Sequence, residues 1–168
     1  MCSSKETNLD AVIDIILEKL ASGGTVTFTP HGTSMLPMLR DGKDVVVLSR
    51  PSGRLGLYDV SLYRRDNGQY VLHRVVDYGS AGTYVMCGDN QFKREKGIRD
   101  DQIIAVMTGF CRKGVTYTPA SVRYRAYISF WYYTRFPRRC IRSLKRRFGV
   151  TDKKKEKDKQ TEDALQTK

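Results

Sequence analysis

A serine in a tight turn is the residue of this chain with the clearest chemical potential. It lies in Gly32-Thr33-Ser34-Met35-Leu36-Pro37, directly after a stretch predicted to be a strand. Gly32 allows a sharp backbone turn, which would place Ser34 at its tip beside backbone N–H groups. That arrangement suits a nucleophilic serine with an oxyanion hole. Gly, Ser and Pro are also the residues that an ordinary exposed turn selects, so the hexapeptide alone leaves both interpretations open.

The base that such a serine requires is offered by His73, in Val71-Leu72-His73-Arg74-Val75-Val76. A strand alternates its side chains between two faces, so His73 shares an otherwise apolar, β-branched face with Val71 and Val75. A histidine in that position is either a buried residue satisfied by a backbone carbonyl or a general base with a pKa near neutrality.

Two carboxylates follow that could orient His73. Asp89 lies in Cys87-Gly88-Asp89-Asn90, directly after a predicted strand, where it could orient the imidazole, hold the loop through backbone N–H groups, or form a simple turn. Glu95 comes six residues later, and the sequence ranks neither carboxylate above the other. A second histidine, His31, precedes the serine by three residues. We expect it on the surface, because side chains so close in sequence rarely reach back across a sharp turn.

The elements that must position these residues are mostly strands. Apolar residues at helical spacing predict one amphipathic helix over residues 9–20, stopped by Gly23-Gly24. From residue 25 the period changes to two. Asp66-Asn67-Gly68 predicts a tight hairpin turn, so residues 58–64 and 69–76 should pair antiparallel. The predicted strands span residues 25–29, 44–48, 58–63, 70–76, 83–87, 103–110 and, as a short last strand, 115–117.

These patterns predict a mainly β fold of antiparallel strands with a helix at each side. The predicted organisation is an N-terminal helix in residues 1–24, a folded sheet or open barrel in 25–118, a basic aromatic helical arm in 119–150, and a disordered tail in 151–168.

Four short motifs in this order resemble the S24/S26 peptidases, which include the type I signal peptidases and the LexA-like repressors. The resemblance covers about residues 25–110 and implies the β-fold of that family, a nucleophile at Ser34, and recognition of an extended peptide by strand addition beside the site. Met35 and Pro37 match family positions that shape the nucleophile turn, and with Thr33 they are the predicted substrate-binding residues. The motifs are Gly32-Thr33-Ser34-Met35-Leu36-Pro37, Tyr58-Asp59-Val60-Ser61-Leu62-Tyr63, His73-Arg74-Val75-Val76 and Gly88-Asp89-Asn90.

The resemblance also bears on the identity of the base. Bacterial signal peptidases and the repressors use a lysine from a later strand, whereas endoplasmic-reticulum, archaeal and sporulation-type signal peptidases place a histidine there, in a His-Arg-Val context. The lysine between Ser34 and Asp89 is Lys43, nine residues after the serine, so the chain is similar to the histidine branch. Members of that branch carry an acidic residue a few positions beyond Gly-Asp-Asn, for which Glu95 is the nearest candidate.

The chain departs from the family in two further respects. Signal peptidases carry a transmembrane anchor, and this sequence has no apolar stretch near the roughly 18–20 residues that a spanning helix needs. Some bacterial members carry a hydroxyl residue two positions before the nucleophile, where this chain has Gly32. We therefore expect backbone N–H groups, together with Thr33, to stabilise the oxyanion.

The positive charge is concentrated at the C-terminal end. Residues 1–120 hold 15 Lys and Arg against 13 Asp and Glu, whereas residues 121–168 hold 15 against 5, which makes most of the formal charge of +12. Seven aromatic residues crowd into residues 124–136, among arginines. Aromatic side chains between basic ones favour an anionic membrane surface as the partner of this segment. A packed or solvated arm is the second interpretation, and binding of nucleic acid is the least favoured.

We therefore predict a serine endopeptidase that cleaves a peptide or protein substrate, such as a leader or signal-type peptide, by a Ser34–His73 mechanism. The alternatives are a non-catalytic membrane- or peptide-binding module on the same fold and a LexA-like self-cleaving regulator. Four scattered cysteines and two histidines predict no metal site, no disulfide scaffold and no cofactor. With no secretory signal evident, we expect a cytoplasmic protein, peripheral on the inner face of the membrane.

Overall fold

A computed structural model of the protein describes residues 9–134, 137–138 and 140–141. The first element of the described residues is helix α1, Leu9–Ala21, in agreement with the predicted helix. One face of α1 buries Ile13, Ile16 and Leu20. Gly23 follows with φ +78°, and its N–H bonds to the Leu20 carbonyl at 3.1 Å. A glycine in the left-handed region is a common way for a helix to end, because glycine has no Cβ that would be strained there.

The described residues form eight strands, all paired antiparallel in one sheet. The strands follow each other in the order β1-β2-β7-β3-β4-β5-β6, and β8 pairs with β7 off this path. The predicted mainly antiparallel β fold is thus confirmed. The strands are β1 Val26–Phe28, β2 Val45–Ser49, β3 Val60–Arg64, β4 Tyr70–Tyr78, β5 Tyr84–Cys87, β6 Glu95–Ile98, β7 Ile103–Arg112 and β8 Val115–Tyr117. Two 3-10 turns, Ser80–Gly82 and Asp100–Gln102, lie between strands.

The hairpin that joins β3 to β4 turns at the predicted place. The Gly68 N–H bonds to the Arg65 carbonyl at 2.9 Å, and the Arg65 N–H bonds to the Gln69 carbonyl at 2.8 Å. Gly68 supplies the left-handed conformation, with φ +87°. This turn sets the register in which Ser61 lies opposite His73 and Tyr63 lies opposite Val71.

Two clusters of buried side chains stabilise the sheet. The larger cluster joins α1 to β1, β2, β3 and β7 and includes Met35, Val46, Leu48, Met107 and Phe110. The smaller one lies on the opposite faces of β3, β4 and β5 and consists of Leu55, Tyr63, Val75, Tyr84, Met86 and Ile98. Alternation along β4 follows the prediction, because Leu72 packs on the first cluster and Val71 and Val75 on the second.

The last element is helix α2, Val122–Tyr133, within the predicted basic arm. The chain divides into a compact unit that runs to Ile128 and a second unit from Ser129 onward. The first unit includes Tyr124, which is buried, and Tyr127 and Ile128, which pack on the larger cluster. Among the described residues, no helix combines the length and the apolar character needed to cross a bilayer. The predicted tail at 151–168 lies outside the described residues.

Candidate active site

Ser34 lies in the loop between β1 and β2, and this loop is fastened to the Gly88-Asp89-Asn90 segment. The Asn90 N–H bonds to the Ser34 carbonyl at 2.8 Å, and Asn90 Nδ2 donates to the Thr33 carbonyl at 3.1 Å. Gly32 takes φ +103° and donates its N–H to Asp41 Oδ1 at 2.8 Å. The backbone of the serine turn is therefore fixed by hydrogen bonds to Asn90 on one side and to Asp41 on the other.

Gly88 separates the serine loop from His73. A methyl group on Gly88 would come within 2.6 Å of the Ser34 carbonyl oxygen and 3.1 Å of His73 Nε2. The Ser34 carbonyl oxygen and His73 Nε2 thus both lie where a side chain of residue 88 would begin. A residue larger than glycine at this position would push them apart. The fold thus brings the Ser34 backbone carbonyl and the His73 ring to the same glycine, although the two residues are 39 positions apart in the chain.

His73 is buried in β4, with 2% of its side chain exposed, and its Nδ1 atom faces a polar cluster. The Tyr63 hydroxyl lies 3.2 Å from Nδ1, and Glu95 Oε1 lies 3.5 Å from it. Burial lowers the pKa of His73 below its usual 6.5, with Arg65 contributing and with Glu95 and Asp89 opposing. The imidazole is therefore neutral at pH 7, the form that can accept a proton.

Glu95, the first residue of β6, is held beside His73 by two partners. The Tyr63 hydroxyl donates to Glu95 Oε2 at 3.0 Å, Arg65 Nε donates to the same oxygen at 2.8 Å, and Arg65 Nη2 donates to Oε1. Burial alone would raise the pKa of Glu95, but the bonds from Arg65 and Tyr63 outweigh it and lower the pKa. Glu95 is thus a carboxylate at neutral pH.

Asp89 has a different partner. Arg74 Nε and Nη2 each donate to one of its carboxylate oxygens at 2.8 Å, and both side chains are buried. Tyr127 adds a hydroxyl bond to Asp89 Oδ2 at 3.1 Å, and Arg74 Nη1 bonds to the Tyr124 hydroxyl at 3.0 Å. Of the two candidate carboxylates, Glu95 is the one with an atom in contact with the imidazole. Asp89 anchors the loop that carries Gly88 and Asn90.

A cleft of about 130 Å³ opens beside Ser34 and is bordered by the first residues of β4. Residues 70–73 pair with β3 on one side, and the pairing of β4 with β5 begins only at Arg74. The other backbone edge of β4 at 70–72 therefore has no strand partner among the described residues, and the same three residues border the cleft. An extended peptide could add to that edge with its backbone next to the serine. The cleft is lined by Pro30, His31, Gly32, Ser34, Met35, Leu39, Tyr70, Val71 and Leu72.

In comparisons with protein-family models, with curated proteins and with solved structures, no match to this chain was found.

The remaining predicted site residues divide by exposure. Met35 borders the cleft but buries its side chain in the larger cluster. Thr33 and Pro37 are exposed, and their carbonyls accept bonds from Asn90 and Arg112. His31 is exposed, as expected, with its ring nitrogen 3.6 Å from Asp41. In the part of the chain that the structure describes, no group of three or more His, Cys, Asp or Glu side chains could hold a metal ion.

Sequence reasoning missed Tyr63 and Arg65 as neighbours of His73. Both lie on the β3 side of the hairpin, where tyrosine is common for its packing and arginine for its exposure. The predicted Asn-Gly turn contained a signal, because its register places Tyr63 diagonally across from His73 on the same face. The pairing of Arg74 with Asp89 had no such signal, because it depends on where the β5 loop returns.

Proposed function

We propose that this chain is a serine endopeptidase of the S24/S26 type, with Ser34 as nucleophile and His73 as general base. The observation that carries the proposal is a buried, neutral histidine whose Nε2 atom lies across Gly88 from the serine loop, while a carboxylate lies against its other nitrogen. This set of groups is the one that serine hydrolysis requires.

The proposed reaction follows from these positions. Ser34 Oγ attacks the scissile carbonyl carbon while His73 Nε2 takes the hydroxyl proton, and the resulting imidazolium returns that proton to the departing amine. Water then attacks the acyl-enzyme and gives a proton to His73, which passes it to Ser34 Oγ as the ester bond breaks and the acid product leaves. Backbone N–H groups of the Ser34 turn, together with Thr33, are the proposed oxyanion donors. The open edge of β4 would hold the substrate as an added strand.

The test is peptide cleavage by purified protein, followed by mass spectrometry of new peptide termini. The substrate pool is a mixture of synthetic leader and signal-type peptides. We expect cleavage by the wild type and none by Ser34→Ala or His73→Ala. Ser52→Ala is the matched control, since Ser52 is exposed and does not line the cleft.

Two other outcomes would favour the alternatives. Binding of peptides without cleavage, unchanged in Ser34→Ala, would indicate a peptide-binding module. A fall in the intact mass of the wild type on incubation alone, absent in Ser34→Ala, would indicate a self-cleaving regulator. Cleavage that survives in both Ser34→Ala and His73→Ala would overturn the proposed mechanism.

We also propose that the enzyme works against an anionic membrane surface, on the inner face of the membrane. Phe130, Tyr132, Tyr133 and Ile141 are exposed large apolar side chains in the second unit. Residues 102–151 contain no Asp or Glu, while residues 121–150 contain nine Arg and Lys. Aromatic rings that can enter the headgroup region, in a stretch of sequence that is basic and contains no acidic residue, fit an anionic lipid surface.

A further inference from the structure

The hydroxyl of Tyr63 lies between His73 and Glu95, 3.2 Å from His73 Nδ1 and 3.0 Å from Glu95 Oε2. We propose that Tyr63 is a positioning residue, which connects the Glu95 carboxylate to His73 and fixes the imidazole tautomer that carries its hydrogen on Nδ1. That tautomer leaves the Nε2 lone pair facing the Ser34 loop. The catalytic consequence rests on the proposed peptidase function, whereas the tautomer itself does not.

The direction of the two hydrogen bonds follows from the protons available. A tyrosine hydroxyl has one hydrogen, and an ionised carboxylate can only accept. Tyr63 therefore donates to Glu95, which leaves its oxygen lone pairs to face His73. The contact with Nδ1 is then a hydrogen bond only if Nδ1 carries the hydrogen. The 3.5 Å approach of Glu95 Oε1 to the same nitrogen favours the same tautomer.

The charge states support this direction. Burial raises the pKa of Tyr63 well above its usual value, and the neighbouring Glu95 raises it further, so the hydroxyl keeps its proton. Arg65 binds both oxygens of Glu95 and keeps that group ionised. Because the Tyr63 hydroxyl stays protonated and the Glu95 carboxylate stays charged, Tyr63 remains the donor and Glu95 the acceptor of their hydrogen bond near neutral pH.

The sheet fixes this arrangement in space. Tyr63 lies on β3 opposite Val71, and His73 lies two residues further along β4 on the same face. Diagonal neighbours on one face of an antiparallel pair are within reach of an aromatic side chain. Glu95 arrives from β6, where it pairs with Met86 of β5. Tyr63 is fully buried, so its ring is also part of the smaller core cluster.

An experiment must therefore distinguish two roles of Tyr63: packing of its ring in the core, and orientation of the His73 imidazole by its hydroxyl. The chain offers a matched control, because Tyr84 is a second fully buried tyrosine whose hydroxyl bonds to a carboxylate, that of Asp100. Tyr84 belongs to the same cluster and has no histidine among the partners of its hydroxyl. Tyr63→Phe and Tyr84→Phe each remove one buried hydroxyl and keep the ring.

The first measurement is the tautomer of His73 by 15N NMR of histidine-labelled protein. The chain has two histidines, so the His31→Gln variant identifies the His73 signals. We expect the hydrogen on Nδ1 in the wild type and in Tyr84→Phe, and a mixture or the Nε2–H form in Tyr63→Phe. Glu95→Ala should change the tautomer too, because Tyr63 can then donate to Nδ1. A wild type in the Nε2–H form, or an unchanged tautomer in Tyr63→Phe, would overturn the inference.

The second measurement is peptide cleavage. Tyr63→Phe should lower kcat by roughly 10- to 100-fold with KM within about twofold, because the base loses its orientation while the cleft is intact. Tyr84→Phe should keep kcat near the wild-type value. Unchanged kcat in Tyr63→Phe would refute the positioning role. If the NMR result holds and the wild type cleaves no peptide, the proposed function fails while the tautomer assignment stands.

Discussion

Arg74 and Asp89 form a buried ion pair in which two guanidinium nitrogens each donate to one carboxylate oxygen at 2.8 Å. Burial alone would lower the pKa of Arg74, but Asp89 outweighs it and the pKa is raised. The pair connects β4 to the loop that carries Gly88 and Asn90. Its role is to hold the site together, and this distinguishes it from Glu95, which contacts the imidazole.

This division of roles predicts a large effect of Asp89→Asn on stability. The change leaves a buried guanidinium without its counter-charge, so the free energy of unfolding should fall by about 3–5 kcal/mol. Urea unfolding followed by circular dichroism measures it. Asp101→Asn is the control, because Asp101 and its partner Arg99 are exposed and the change should be within about 0.5 kcal/mol. Equal effects of the two variants would contradict the structural role of Asp89.

Gly88→Ala should abolish cleavage. The added methyl group would lie 2.6 Å from the Ser34 carbonyl oxygen and 3.1 Å from His73 Nε2, so the serine loop and the imidazole must move apart. Geometry at that scale decides catalytic rate, and we expect a loss of at least about 100-fold in kcat/KM. At Gly53 the same methyl group meets no described heavy atom within 4 Å, so Gly53→Ala should cleave normally. Normal activity in Gly88→Ala would show that Ser34 and His73 do not act together across this glycine.

The pH dependence of cleavage should report His73. Its neutral form is the base, so kcat/KM falls as pH drops through its pKa, which burial has lowered. The acid limb of the profile should therefore lie below pH 6.5. Arg65 helps to lower this pKa, so Arg65→Gln should move the limb to higher pH. Arg94→Gln is the control, since Arg94 is exposed and pairs with Asp77. A limb that moves to lower pH in Arg65→Gln would conflict with the proposed base.

The arm should bind vesicles that contain anionic lipid. We expect the protein to co-sediment with phosphatidylcholine vesicles that include phosphatidylglycerol, and much less with phosphatidylcholine alone. Phe130→Ala and Tyr133→Ala should each weaken binding by roughly tenfold, through lost apolar burial. Leu57→Ala is the control, an exposed apolar residue of the first unit. Stronger binding to single-stranded nucleic acid than to these vesicles would instead indicate a nucleic-acid surface.

The strands that the sequence predicts correctly are those with strong local signals. Val, Ile and Tyr in alternation mark β4, β5 and β7, and the Asn-Gly turn marks the hairpin. Strand β6 went unpredicted, because Glu95-Lys96-Gly97-Ile98 contains a glycine at φ +80° and two charged residues. It pairs because β5 offers a free backbone edge, which no local pattern along residues 95–98 reveals.

The candidate site shows the same division. Residue type and turn chemistry were enough to single out Ser34, His73, Asp89 and Glu95. Ser34 lies in a sharp turn, and His73 is a titratable residue on an apolar strand face. The two carboxylates follow the end of a predicted strand, where they could reach His73. Choosing between Asp89 and Glu95 required the sheet register. The neighbours that decide the choice, Arg74 for one and Tyr63 for the other, lie on strands distant in sequence.

Helix α2 reaches the core before the second unit begins, and this determines how far the chain can be shortened. A protein ending after Ile128 would keep Tyr124 on Phe110 and Arg74, and Tyr127 on Asp89. A protein ending at residue 118, where the strands stop, would lose both tyrosines and leave the Arg74–Asp89 pair open to water. A chain that keeps both contacts of α2 with the site must therefore extend at least through Tyr127.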